Sequence, residues 1–199
     1  MDRSRRGGCS SYVRSKGYDE RNTDKAMNKL KEIADLGLNV TWQVIAIGLF
    51  GKEYIAKQLS REEIFEYLDD QLNVETKETN KIIQLICEKE NDWKADKLLL
   101  SFVETEKADV TLQLRKWRVY LLKKTLNHIS PDCLRGLLEL HEFWASVGFP
   151  NDSPHIIPGE APSLTVQEYY TKDMFDYLLK RNSLWAIKEI ENIKLLEKS

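Results

Sequence analysis

The chain has 199 residues, enough for one domain with a substantial core and short for two. Hydrophobic residues make up 42% and charged residues 31%, a balance that excludes both a disordered chain and a membrane-embedded one. The formal net charge of −2 is unevenly spread: residues 1–26 hold seven Lys/Arg against four Asp/Glu, which leaves −5 on the remainder. An acidic folded part repels nucleic acid and draws in basic partners.

Residues 1–22 show neither helical nor strand periodicity and are expected to form a disordered basic leader, followed by a single helical domain over 23–199. The leader has arginines but lacks the apolar stretch of a secretory signal. Met27 opens the run MNKLKEI, which has the character of an ordinary protein start. No apolar run approaches the roughly 18–20 residues of a membrane span, and the longest, Val44 to Phe50, is buried-helix material. Cys9, Cys87 and Cys133 are odd in number, widely spaced and without a CxxC pair. That usage fits a reducing compartment, so a cytoplasmic location is expected.

From Thr23 the pattern is helical throughout. Thr23-Asp24 caps a first helix through Leu36, stopped by Gly37. Asn39 or Thr41 opens a very apolar second helix through about Phe50. Ser60 and Glu63 form a capping box for a helix through Leu72, whose apolar side is Ile64, Phe65, Leu68 and Leu72. Thr76 to Glu90 is the next helix, and Asn91 caps another that runs through Val103. A long helix spans about Asp109 to His128, with Val110, Leu114, Trp117 and Leu121 at the spacing of a buried stripe. Ser130-Pro131-Asp132 starts a helix that ends at Gly148. Four prolines make 149–164 an extended loop. Thr165 and Glu168 form a second capping box for a helix to about Arg181, and Ser183 caps the last helix. No segment alternates as a strand would, and no fixed repeat is present. The expected fold is all-α: eight to nine helices in stacked antiparallel pairs, no sheet, with Trp42, Leu68, Trp117, Leu121 and Trp185 buried.

Several motifs fail on inspection. His141-Glu142-Phe143-Trp144-Ala145 begins like a zinc-protease HExxH, but Ala145 stands where the second histidine is required. Gly48 to Lys52 is too short for a phosphate loop, and Glu53 occupies the place of its Ser or Thr. Arg135 and His141 fit the loose Arg-x4-6-His pattern of helical ribonucleases, yet six residues of helix set them about 120° apart. The reading of His141 as a core-edge residue beside Phe143 and Trp144 is preferred, and the nuclease is kept as the enzymatic alternative. His128 and His155 have no metal-ligand spacing, and no serine sits in a Gly-x-Ser-x-Gly turn. Cys87 and Cys133 are expected to be small core residues. No cofactor, no metal site and no enzymatic activity are expected.

Two charged faces remain. Glu62, Glu66, Asp69 and Asp70 form an acidic stripe opposite Ile64, Phe65 and Leu68. Arg115, Lys116, Arg118, Lys123 and Lys124 make the long helix basic, and such a row is ordinarily a solvated face. The acidic stripe agrees in sign with the folded part and is the better candidate partner surface, with Asp152 and Glu160 of the proline-rich loop as possible additions.

From Val40 to about Lys194 the chain resembles a bacterial family catalogued as domain of unknown function 2247. The resemblance is carried by Thr41-Trp42 through Gly48, Leu59-Ser60-Arg61-Glu62-Glu63-Ile64, Lys116-Trp117-Arg118, and Phe143-Trp144 leading into Phe149-Pro150. Residues 1–26 lie outside it. The resemblance implies a place among immunity proteins of bacterial toxin systems and brings no catalytic residue with it. The expected function is neutralisation of a cognate toxin domain, a nuclease in the first instance, by occluding its active site. A helical adaptor or scaffold is the alternative class. No nucleic-acid or membrane partner is expected.

Overall fold

Local chemistry sets where each helix starts. A computed structural model describes residues 28–73, 77–157 and 165–198, and all that follows refers to these. Asn28 accepts the Leu30 N–H and opens α1 (Lys29–Asp35), which ends before Gly37 at φ 74°. Thr41 caps α2 (Trp42–Phe50) through the Val44 N–H, and Gly51 at φ 77° ends it. The Ser60/Glu63 capping box opens α3 (Arg61–Gln71) as expected from the sequence. Then come α4 (Thr79–Cys87), α5 (Asp92–Glu106) capped by Asn91, and α6 (Val110–His128) capped by Asp109. The last three are α7 (Cys133–Ser146), the short α8 (Val166–Tyr169) and the long α9 (Lys172–Leu196). Among the described residues the fold is all-α, nine helices with one isolated bridge between Lys52 and Ile55.

Helix α2 is apolar nearly all round and correspondingly buried: Trp42, Val44, Ile45, Ile47, Gly48 and Leu49 are all in the core, and only Gln43 and the terminal Phe50 reach solvent. It packs on α5 and α6, and α6 packs in turn on α9, α1 and α7. At Gly48 the absence of a side chain lets α6 approach, since a Cβ there would lie 2.5 Å from both Trp117 Cζ2 and Leu59 Cδ1. The Gly48 carbonyl accepts from the Gln58 and Leu59 N–H groups, which ties the following loop back onto the helix. A smaller apolar cluster joins α7, Tyr169 and the start of α9 through Leu137, Leu140, Phe175 and Leu178.

Several expectations need correction. Helix α7 is capped by Asp132, whose side chain accepts the Arg135 N–H. Ser130 stays outside because its own N–H donates to Glu139. The helix opened by Thr165 stops after four residues, and Thr171 caps a single 25-residue α9 that runs straight through Ser183. Asn182-Ser183 reads as a break, yet Asn182 lies in the core with both ends of its amide satisfied. It accepts from Trp144 Nε1 at 2.8 Å and donates to the Leu178 carbonyl at 2.8 Å, so the local preference for a cap is overridden. Trp42, Leu68 and Trp117 are buried, whereas Leu121 and Trp185 are partly covered. Cys87 is exposed at the end of α4, and Cys133 is partly buried against the smaller cluster. The Thr23 cap, Thr76, Cys9 and the 1–22 leader lie outside the described residues.

Candidate functional site

The acidic stripe of α3 forms a wall of an open groove. Glu62, Glu66, Asp69 and Asp70 line a space of about 660 Å³ together with Phe65 of the same helix. Glu90 of the turn after α4 and Asp92, the first residue of α5, join them, so six carboxylates meet there with Lys57, Arg61 and Lys89. Neither Glu90 nor Asp92 is singled out by the sequence, because they stand at the entry to α5, some twenty residues away. Arg61 is already engaged: it donates to Asp96 at 2.6 Å and lies 3.2 Å from Asp92. Asp70 forms an ion pair with Lys31 of α1. Hydrogen bonds from its own backbone N–H and the Ser60 hydroxyl hold Glu62 below the usual carboxylate range, so it stays charged.

The first part of the basic row of α6 is not a solvated face, although Lys124 is exposed and Lys123 half-buried. Lys116 is 1% exposed and Arg118 5% exposed, because α6 is covered by neighbouring elements on more than its apolar stripe. Charge partners accompany that burial, as they must. Glu189 of α9 accepts from Arg115 Nε at 2.7 Å, Arg115 Nη2 at 2.9 Å and Arg118 at 3.2 Å. Asp152 accepts from Arg118 at 2.7 and 3.2 Å. Lys116 donates to the Asn39 carbonyl and pairs with Glu197 at 2.6 Å. Asp152 therefore belongs to the clamp between α6, α9 and the proline-rich loop, apart from the α3 stripe. Glu160 lies outside the described residues.

Arg135 and His141 are held by different partners. Arg135 is largely exposed and pairs with Glu139 one turn along, whereas His141 Nδ1 lies 3.1 Å from His155 Nε2. Phe149, at φ 46°, packs on both imidazoles at ring separations of 5.2 and 5.3 Å. No local pattern marks this pair, since 14 residues and a turn separate its members. His155 Nδ1 is buried with no hydrogen-bond partner among the described residues.

Burial and, second to it, the charge of His141 push the His155 pKa down to about 4. A histidine in the unfolded chain titrates near 6.5. Its neutral form is thus favoured by folding: the contribution is full above about pH 6.5, is lost as pH falls, and levels off below about 4. Urea unfolding between pH 7.5 and 4.5 should show this loss, on the order of 3 kcal/mol at most. His155→Gln should flatten the decline. An equal slope in that variant would assign the pH dependence to other groups.

No curated protein and no solved structure matches the chain significantly. No helix among the described residues is long and apolar enough to cross a membrane. Residues 30–189 match a bacterial family over the same helices, α1 to α9, that build the core, the α3 groove and the α6–α9 clamp. The chain belongs to this family, described as an uncharacterized protein conserved in bacteria (DUF2247).

Proposed function

We propose that this protein is an immunity-type inhibitor, working in the cytoplasm, that binds a basic toxin domain and blocks its active site. The observation that carries the reading is the α3 groove. Six carboxylates against three cations leave an excess of negative charge around one open concavity, on a chain whose residues beyond 26 sum to −5. A nuclease toxin is basic where it holds phosphates, so an acidic inhibitor is steered to that surface and competes there with the nucleic acid. Helix α3 packs on α1 and α4 and is fastened by the Lys29–Glu63 and Arg61–Asp96 ion pairs, which keeps the groove pre-formed and limits the ordering cost of binding.

The reading is tested by co-expression with the C-terminal domain of a secreted toxin encoded beside the gene. Growth should be rescued by this protein and lost again when Glu66 and Asp69 are reversed to lysine. Rescue by neither form, with both present at equal levels, would favour a helical adaptor with another partner.

A further inference from the structure

A second groove, of about 470 Å³, has the opposite sign. Tyr177, Lys180, Arg181, Leu184 and Lys188 form one side of it on α9, and residues 152–154 form the other, with Trp185 between. Lys180 and Lys188 are exposed and have no acidic partner among the described residues. Asp152, the acid at the rim, is already neutralised by Arg118. Tyr177 and Leu184 leave about half of their surfaces open, at 51% and 49%. The walls are firm: Trp185 Nε1 donates to the Asp152 carbonyl at 2.6 Å, and Arg118 stacks over the Trp185 ring at 5.1 Å.

We infer that this groove docks an acidic peptide segment of a partner protein that carries an apolar side chain. Three cations supply the complement to carboxylates, and Leu184, Tyr177 and the buried Pro154 supply a place for the apolar group. Nucleic acid fits less well. One face of Trp185 is taken by Arg118 and its ring meets Trp144 edge-on at 5.3 Å, so it offers no free platform for a base. Arg181 likewise lies over Tyr177 at 6.0 Å. This site is separate from the α3 groove, and its test does not depend on the inhibitor reading.

The probe is dye-labelled poly(Glu,Tyr), followed by fluorescence anisotropy with the full chain. Lys180→Glu/Lys188→Glu should weaken binding by roughly ten-fold or more. Lys77→Glu/Lys97→Glu, which changes net charge equally at exposed positions elsewhere, should leave it nearly unchanged. Leu184→Ser should weaken poly(Glu,Tyr) but not polyglutamate. Unchanged melting temperatures will show that the variants are folded. Absence of binding to the unaltered protein, or equal loss in both double variants, would overturn the proposal. So would tighter binding of an oligothymidylate than of poly(Glu,Tyr).

Discussion

Trp117→Ala is expected to lower the unfolding free energy by about 3–5 kcal/mol, read from urea denaturation. Trp117 is fully buried, its indole N–H donates to the Val44 carbonyl at 2.9 Å, and it meets Tyr120 edge-on at 5.8 Å. It also fills the space that Gly48 leaves open, so truncation creates a cavity at the α2–α6 contact. Neither helix can close the gap cheaply, since Gly48 is fastened to the Gln58–Leu59 backbone. A loss below about 1 kcal/mol would mean that the site collapses around alanine, and the packing described for α2 and α6 would be wrong.

Glu189→Ala is expected to cost a similar amount, about 3–5 kcal/mol, for a different reason. Glu189 is 4% exposed and holds Arg115 and Arg118, of which Arg118 is itself 5% exposed. Its removal leaves Arg115 without its carboxylate and the buried Arg118 with Asp152 alone. Deleting the cluster together as Arg115→Leu/Arg118→Met/Glu189→Leu should recover most of the loss, because apolar packing of similar volume often equals buried ion pairs, and the half-exposed Asp152 can turn to water. Triple-variant stability well below that of Glu189→Ala would contradict this account of the clamp.

Much of the fold was legible because caps and apolar stripes are local signals. Ser60/Glu63, Thr165/Glu168, Asn91 and Asp109 start helices where their side chains demand it. The errors arose where tertiary contacts overrode local preference. Asn182 is pulled into the core by Trp144, so no helix starts at Ser183. Lys116 and Arg118 look solvent-facing until Glu189, Glu197 and Asp152, all far along the chain, are placed beside them. The α3 stripe was legible by its helical spacing, while its partners Glu90 and Asp92 and the His141–His155 pair depend on chain reversals that spacing does not encode.

The most direct test of the inhibitor reading is the association rate with the cognate toxin domain at two salt concentrations. Charges at the edge of an interface act chiefly on encounter. Glu66→Lys/Asp69→Lys should therefore slow association and flatten its salt dependence. Ile64 and Leu68, the buried side of α3, are untouched, so the melting temperature should hardly move. Slower, less salt-sensitive association with unchanged stability is the predicted result. An association rate and salt slope equal to those of the unaltered protein would contradict the claim and place the toxin-binding surface away from the α3 groove.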